Sequence, residues 1–265
     1  MRPRFVIFVA LLHLTLLPFC MAQKIPTLDQ ILSRAQDNVR EFEFLLPNFI
    51  CNEKITSQAL TGSKLMRRTI IDSDFKGTQE PGGQDKPFTE SREIRAIDGR
   101  SVGKSQQLTG PFLFGGGFSS ILDMTFAQKN IPYHNYKITG IEKIGGKSLV
   151  VVEFATKADQ KELNLEIEGR KLLDRDTGKA WIDPESMHVV RIECRYLNLP
   201  PPAQVLDVSV DYAKVLINGK TFWMPKTVRA EEVMTGPREK QPVKGQYAAE
   251  YSNYRKFEVS VEIKY

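Results

Sequence analysis

The sequence has few of the residues on which metal sites and catalytic sites usually depend. It contains three histidines and three cysteines among 265 residues. No H-E-x-x-H or C-x-x-C segment occurs, so neither a zinc protease nor a zinc or redox cysteine pair is predicted. The glycine run at 115–117 is followed by Phe118, and not by the Lys and Ser or Thr of a phosphate-binding loop. We therefore expect no metal and no cofactor.

Catalytic side chains are also scarce and isolated. His134 follows a Pro-Tyr pair in a connecting segment, and His188 stands in a predicted strand, where a structural histidine is the usual case. We expect no serine nucleophile elbow and no cysteine–histidine pair. Glu166 and Glu168 would share one strand face, as paired carboxylates do in glycoside hydrolysis, but solvated charge is the better explanation. The sequence therefore favours a protein that is not an enzyme.

The first 22 residues have the pattern of a cleaved secretory signal. Arg2 and Arg4 precede an apolar run at 5–17, and Cys20 and Ala22 supply small residues for cleavage after Ala22. That run is shorter than the ~20 residues of a membrane-spanning helix, so a retained anchor is the less favoured alternative. Lipid attachment at Cys20 is a third alternative, disfavoured by the bulky residues before it. We expect an exported protein located in the periplasm or at the outer membrane.

The rest of the chain, 23–265, is nearly balanced in charge. Without the two arginines of the signal it carries 35 basic (37 − 2) and 32 acidic side chains, a formal net charge of +3. This balance gives no reason to expect nucleic-acid binding, although a weak attraction to anionic lipid is compatible with it. No later apolar stretch approaches the length of a membrane span. We expect 23–265 to be a single domain, because all-β domains often reach this length.

Cys51 and Cys194 are the two cysteines that follow the predicted signal. An oxidising compartment would allow a disulfide between them. Their spacing along the chain does not fix the distance between them, so the alternative of two small buried hydrophobic side chains stays open.

Apolar periodicity predicts one helix at the start of this domain. Apolar residues recur at three- and four-residue steps from Leu28 to Leu46, and Pro47 ends the pattern. Thr27 and Gln30 have the spacing of a capping box. A helix with such a continuous apolar stripe needs an apolar surface to cover.

Strand patterns fill most of the remaining sequence. Alternating apolar and charged residues predict strands at 190–196, 206–212 and 257–265, each with one wet and one covered face. Short turns such as Asn218-Gly219 force neighbouring strands to be antiparallel. The predicted fold class is therefore α+β and mostly antiparallel. Further strands are predicted at 49–60, 64–75, 90–97, 136–144, 148–155, 163–165, 178–182 and 221–233.

A glycine-rich aromatic segment supplies the candidate ligand site. Glycines within 110–117 give the chain freedom, and Phe112, Phe114 and Phe118 would form an apolar lip at the mouth of a cavity. A short helix capped by Ser120 is predicted directly behind this lip. The alternative is that these aromatic side chains anchor a loop in an ordinary core. The expected apolar lining lies on this segment, the short helix and two strands: Phe112, Phe114, Phe118, Ile121, Leu122, Trp181 and Trp223.

Several short segments resemble known bacterial envelope proteins. Trp-Ile-Asp-Pro at 181–184, turning into the strand that follows, resembles a turn of the periplasmic outer-membrane lipoprotein carrier and sorting family. Asn-Phe-Ile-Cys at 48–51, Gly-Phe-Ser-Ser-Ile-Leu at 117–122 and Tyr-Ser-Asn-Tyr-Arg-Lys-Phe at 251–257 resemble uncharacterised secreted relatives of that family. The likeness to these relatives covers nearly all of 23–265, whereas the likeness to the carriers consists of topology and one turn.

The resemblance implies a strongly curved, incomplete β-barrel covered by an N-terminal amphipathic helix and a short second helix, with an apolar cavity that shelters acyl chains. No residue here matches the functional arginine of the carriers, so no residue role is carried over. We accordingly expect a binding protein that holds a lipid or a lipoprotein acyl chain. The main alternative is an envelope interaction or sensing domain that docks a protein partner through its wet face or sheet edge. A carboxylate hydrolase is a distant third.

Overall fold

The computed structural model describes residues 25–79, 89–103, 106–115, 117–159, 164–167, 170–173, 175–235 and 241–257, with the backbone alone at 164–167 and 170–173. The predicted signal at 1–22 lies outside these residues, and so does most of the predicted strand at 257–265. The described part contains two α-helices, α1 (Leu28–Phe44) and α2 (Ser120–Phe126), and a 3-10 turn at Ile131–Tyr133. Both predicted helices are thereby confirmed.

Strands make up most of the other described residues. Each predicted strand that falls within them is present, with ends that differ by a few residues. The sequence pattern missed the short strands Arg100–Ser101 and Arg170–Leu173. It also missed the strand Val243–Lys256, because its glycine and alanine residues dilute the alternation of apolar and charged side chains. In chain order the strands are β1 (Phe49–Thr61), β2 (Lys64–Thr78), β3 (Thr89–Ile97), β4 (Arg100–Ser101), β5 (His134–Ile144), β6 (Lys147–Thr156), β7 (Asn164–Ile167), β8 (Arg170–Leu173), β9 (Arg175–Ile182), β10 (Val189–Leu197), β11 (Ala203–Ile217), β12 (Lys220–Met234) and β13 (Val243–Lys256).

Eleven strands form one antiparallel sheet in the order β4-β3-β2-β1-β13-β12-β11-β10-β9-β6-β5, and β7 and β8 form a separate hairpin. β4 and β5 are free edges, so the sheet is open. The turn between β11 and β12 has positive φ at Asn218 (52°) and Gly219 (79°), as the tight hairpin predicted there requires. The predicted fold class, mostly antiparallel β in an unclosed sheet with two helices, is confirmed.

Alternation along the strands sorts the side chains onto two faces of this sheet. The apolar face carries most of the core, including Ile55, Ile71, Val152, Ile192 and Val210. The polar face carries the residues between them, many of them charged. Helices α1 and α2 and the described residues of the segment before α2, 106–115 and 117–119, pack on the apolar face, and we call these three elements the cover.

Helix α1 begins at the predicted capping box. The Thr27 hydroxyl accepts the N–H of Gln30 (3.3 Å), and the Gln30 side chain accepts the N–H of Thr27 (2.9 Å). The helix ends at Phe44, before Pro47. The apolar stripe of the helix is buried against the apolar face, as the periodicity predicts, and consists of Ile31, Ala35, Val39 and Phe42.

Candidate functional site

Phe118 lies at the centre of an aromatic cluster between the cover and the apolar face. Its ring centroid is 4.4 Å from that of Phe75, 4.9 Å from that of Tyr251 and 5.8 Å from that of Phe49. Phe42 of α1 packs on it from above at 6.1 Å. A side chain that is only 1% exposed does not form a lip at a cavity mouth. Phe118 instead anchors the glycine-rich segment in the core, which is the alternative interpretation of the sequence.

Phe112 is anchored in the same way. The Ser57 hydroxyl of β1 accepts the backbone N–H of Phe112 (3.0 Å) and donates to its carbonyl (2.5 Å). A Cβ atom on Gly245 would come within 2.6 Å of the Phe112 side chain, so β13 needs glycine there. Phe114 is only half-buried and packs beside Tyr247 at 6.3 Å. Two of the three predicted lip residues therefore belong to the core, and the third lies at its margin.

Ile121 and Leu122 on α2 are buried, and Leu122 lines a small cavity beneath the cover. This cavity lies between α1, α2 and the strands β11 and β12, and its volume is about 30 Å³. That is roughly the space of a single water molecule. Trp223 is half-buried and also lines it. At this cavity an acyl chain has no room without displacement of α1 or α2.

His188 closes the small cavity next to the turn that precedes β10. Asn38 of α1 donates its side-chain N–H to the carbonyl of Met187 (2.9 Å), which ties the helix to this turn. The His188 ring lies 5.2 Å from the Trp223 ring. Burial, and after it the positive charge of Arg34, lowers the pKa of His188 to about 4. His188 is therefore neutral at pH 7.

Trp181 does not lie with the other predicted lining residues, and this prediction is wrong. Alternation along β9 turns its side chain to the polar face, where it packs with Leu149 and Val151 in a separate small core. Its indole N–H donates to Glu142 (2.8 Å), and the Arg191 guanidinium lies over its ring at 5.5 Å. The sheet itself separates Trp181 from the cavity beneath α1.

Cys51 and Cys194 are both buried and are not joined to each other by a disulfide. Cys51 lies on β1 and Cys194 on β10, four positions apart in the sheet order. Neighbouring strands are about 4.8 Å apart, and a disulfide needs Cα atoms within about 7 Å. Burial, and after it the carboxylate of Glu53, raises the pKa of the Cys51 thiol, which makes it unreactive. Both cysteines therefore occupy the core as small buried side chains in this structure.

A buried ion pair joins β1 to β3 on the apolar face. The Arg92 Nε–H lies 3.0 Å and 2.9 Å from the two carboxylate oxygens of Glu53, and the Ser73 hydroxyl donates to the same carboxylate (2.7 Å). Beside it, the Ser119 hydroxyl donates to Glu90 (2.6 Å). Ser119, and not the predicted Ser120, is the N-cap residue of α2. These polar contacts fix β3 and the start of α2 to the sheet.

His134 and Asp176 form a second buried pair. Nε2 of His134 lies 2.9 Å from the Asp176 carboxylate, and Nδ1 lies 3.1 Å from the Asn130 carbonyl. Since a carbonyl can only accept, Nδ1 carries a proton. The Thr156 hydroxyl (2.7 Å) and the Cys194 thiol (3.6 Å) also donate to Asp176. Donors thus surround the carboxylate, and His134 and Asp176 are only 3% and 4% exposed. We interpret this cluster as structural, because a substrate does not reach it.

Residues 99–103 read Gly-Arg-Ser-Val-Gly and fit the letters of a G-x-S-x-G motif, although no nucleophile elbow was predicted. A nucleophile elbow requires a strand, a sharp turn and a helix, with the serine at the turn. Ser101 instead ends the two-residue edge strand β4, and the described residues immediately after it are not helical. This match is therefore not an elbow.

Two further observations concern only the described part of the chain. Within it, no group of three or more histidine, cysteine, aspartate or glutamate side chains is arranged to hold a metal ion. None of its helices is both long enough and apolar enough to cross a membrane. Glu168 and the side chain of Glu166 lie outside the described residues, so the carboxylate hypothesis stays a prediction.

The large open cavities lie on the polar face. The first cleft, of about 1040 Å³, crosses the strands from β1 to β5. The second cleft, of about 1090 Å³, extends from β3 to the turn between β5 and β6. Of the predicted lining residues only Trp223 reaches either cleft. The space in this structure is therefore on the opposite side of the sheet from the predicted apolar cavity.

The sequence matches no protein-family model and no curated protein. Among solved structures, the chain is similar to a putative outer membrane lipoprotein-sorting protein domain from Vibrio parahaemolyticus, with a TM-score of 0.41 and 13% identity over 89% of this chain and 95% of that one. It is similar to a DUF1329 family protein from Desulfovibrio piger (TM-score 0.39, 12% identity, 88% and 94% covered). It is also similar to a LolA superfamily protein from Nitrosomonas europaea (TM-score 0.36, 14% identity, 89% and 96% covered). Two of these three solved structures carry names of the lipoprotein-sorting group that the sequence segments resemble.

Proposed function

We propose that this protein is an exported, non-catalytic binding protein that holds an apolar ligand, such as a lipid or a lipoprotein acyl chain, between its apolar face and a displaceable cover. One observation carries the proposal. The apolar face of an eleven-stranded sheet is closed by two helices and one segment, and α1, the longest of them, packs mainly through one apolar stripe. The small cavity beneath α1 marks where this packing is incomplete.

The polar ties of α1 to the rest of the protein are weak enough to be exchanged. They include the hydrogen bond from Asn38 to Met187, one from the Gln79 side chain to the Glu43 carbonyl (2.8 Å), and the Lys220–Glu41 ion pair at 3.5 Å. Exposed ion pairs contribute about 0–1 kcal/mol, and a neutral hydrogen bond contributes about 1 kcal/mol. Apolar burial therefore dominates the attachment of the helix.

Apolar burial is also what an acyl chain can replace. Ile31, Val39 and Phe42 of α1 are buried together with Leu46 after the helix. At about 1.5–3 kcal/mol for each side chain, these four residues contribute about 6–12 kcal/mol. An acyl chain with about 14 methylene groups contributes about 11 kcal/mol at about 0.8 kcal/mol for each group. The two magnitudes are close, so exchange of α1 for an acyl chain on the apolar face is close to neutral in free energy.

The two tryptophans provide a sharp test of this proposal. Trp223 lies at the small cavity, and Trp181 lies on the polar face. A fatty acid brominated along its chain quenches tryptophan fluorescence on contact. We expect it to quench the Trp181→Phe variant, which retains Trp223. The matched Trp223→Phe variant, which retains Trp181, should not be quenched.

Because Trp223 also lines the second cleft, quenching of Trp223 that disappears at high salt would show adsorption to the cleft lysines and not entry beneath the cover. Equal quenching of both variants would likewise show that the chain adsorbs without entering beneath the cover. Absence of quenching in both, with no acyl chain detected by native mass spectrometry, would refute the proposal. Export is tested separately by measuring the intact mass of the secreted protein, which we expect to begin after Ala22.

A further inference from the structure

The two clefts on the polar face differ in charge. In the first cleft four cationic and four acidic side chains balance, and the Lys179–Glu153 and Arg195–Asp207 ion pairs (3.1 and 2.6 Å) join them across strands. The second cleft is lined by three arginines, four lysines and four acidic residues. One of the four, Glu53, has its carboxylate on the opposite face, paired with Arg92. The other charged lining residues sum to 7 − 3 = +4. Asp74 and Glu193, which pair with two of the arginines from outside the lining, reduce the net charge to 7 − 5 = +2.

The excess charge belongs to lysines and not to arginines. Arg229 pairs with Asp211 (2.8 Å), Arg191 pairs with Asp211 (3.6 Å) and also with Glu193, and Arg95 pairs with Asp74 (3.6 Å). The lysines of the cleft are exposed and form no ion pair with any described residue, although the Lys214 ammonium lies over the Trp223 ring at 5.6 Å; they are Lys54, Lys147, Lys214 and Lys226. Asp72 and Glu250 also line the cleft and form no ion pair with any described residue, so four unpaired lysines face two unpaired carboxylates. An excess of positive charge in a concave surface attracts an anionic ligand.

The strand register places a continuous row of side chains along this cleft. One residue from each of six consecutive strands, from β2 to β10, lies directly beside the next. These residues are Asp72, Lys54, Glu250, Thr227, Asp211 and Arg191. Five strand spacings of about 4.8 Å make a path of about 24 Å. An extended peptide rises about 3.3 Å per residue, so about seven residues would follow this path.

We propose that the second cleft binds an acidic, extended polypeptide segment of a protein partner. The free lysines supply the attraction to its carboxylates. Asn52, Thr227 and Ser252 line the same cleft and can hydrogen-bond to a peptide backbone. This site lies on the opposite face from the proposed apolar site and does not depend on it.

Two other anionic partners fit the cleft less well. A sulfated or phosphorylated glycan is best bound by unpaired arginines, whose guanidinium groups form bidentate hydrogen bonds to its anionic groups, and by an exposed aromatic ring on which its sugar rings stack. Here the arginines are already paired, and Trp223 lies between His188 (5.2 Å) and Lys214 (5.6 Å). An anionic membrane is flat on this scale, whereas the lysines line a concave cleft with a volume of about 1090 Å³.

The test uses the purified secreted chain and a fluorescent peptide of four Glu-Ser repeats. Binding is measured by anisotropy at low and at physiological salt. We expect binding that weakens with salt, and no binding of Gln-Ser or Lys-Ser repeats. The double variant Lys54→Gln/Lys226→Gln should bind about tenfold more weakly, since each exposed charge contact is worth a factor of about 1.4–5.

The matched control is Lys64→Gln/Lys137→Gln, which removes two exposed lysines outside the second cleft. It should bind the peptide within about twofold of the original chain. Equal loss in both double variants, or no binding of the acidic peptide, would overturn the proposal. Tighter binding of a sulfated oligosaccharide of equal charge, or of vesicles rich in anionic phospholipid, would also overturn it. Quenching of Trp223 by the brominated acyl chain should be unchanged in both variants, so the two proposals fail independently.

Discussion

Two titrating side chains at the cover are expected to affect stability in opposite directions with pH. Glu43, at the end of α1, lies beside Asp123 of α2. Burial, and after it the Asp123 carboxylate, raises the pKa of Glu43 from 4.5 to about 7. His188 lies on the other side of α1, where its pKa falls from 6.5 to about 4. We predict that the substitutions Glu43→Gln and His188→Gln reveal two pH dependences that partly cancel in the original chain.

The direction of each effect follows from which state binds the proton more tightly. Between about pH 4.5 and 7 the folded chain holds the Glu43 proton more tightly than the unfolded chain, so Glu43 makes the fold less stable as the pH rises. Between about pH 6.5 and 4 the unfolded chain binds the His188 proton more tightly, so His188 makes the fold less stable as the pH falls.

The pKa shift sets an upper bound on the change in unfolding free energy for each side chain, and solvent screening reduces that change. Each pKa departs from its ordinary value by 2.5 (7 − 4.5 and 6.5 − 4), which corresponds to about 3.4 kcal/mol at 1.36 kcal/mol for one pKa unit. Both side chains keep partial contact with water, and solvent screening reduces such interactions strongly. We therefore expect about 1 kcal/mol for each group across its range.

The assay is urea unfolding at a series of pH values between about 4 and 8, followed by tryptophan fluorescence. The unfolding free energy of Glu43→Gln, relative to the original chain, should increase with pH, and that of His188→Gln should increase as the pH falls. Asp159→Asn, at an exposed position, is the control and should show neither trend. The reasoning would be refuted if both variants followed the pH dependence of the control or if both changed in the same direction.

Three further substitutions test the core. Phe118→Ala should cost about 3–5 kcal/mol of unfolding free energy, because the ring is surrounded by other rings; a loss below about 1 kcal/mol would contradict its central place. Asp176→Asn should cost about 3–5 kcal/mol by leaving the buried histidine without its carboxylate, which a thermal shift measures. Gly245→Ala should cost about 1–3 kcal/mol through overpacking, whereas Gly103→Ala, in open space, should be neutral in the same urea titration.

Local signals in the sequence account for the parts of the fold that were predicted correctly. The capping box at Thr27 involves residues only three apart, and the Asn218-Gly219 turn is determined by its own backbone. Trp181 shows why other parts of the structure were not predicted correctly. It stands between Ala180 and Ile182, so three successive apolar residues hide which side chain faces the polar side. A period-two pattern assigns a face only when polar residues mark the other one.

The location of open space was not predictable, because it depends on packing between distant segments. Nothing near Phe118 in the sequence indicates that rings from β1, β2 and β13 surround it. Likewise, a nearly balanced net charge gives no hint of the second cleft. Lys54 and Lys226 are separated by more than half of the chain, and strand register brings them to the same cleft.

Trp223 connects the two faces of the sheet. It lines the small cavity beneath α1 and also the second cleft, and the Lys214 ammonium lies over its ring at 5.6 Å. A ligand that displaces α1 removes packing from one side of this ring and thereby alters the position of a cleft lysine on the other. Such a link is reciprocal in binding free energy. If an apolar ligand changes the affinity for an acidic peptide by some factor, the peptide must change the affinity for the apolar ligand by the same factor, and replacing Trp223 with phenylalanine should reduce that factor towards one.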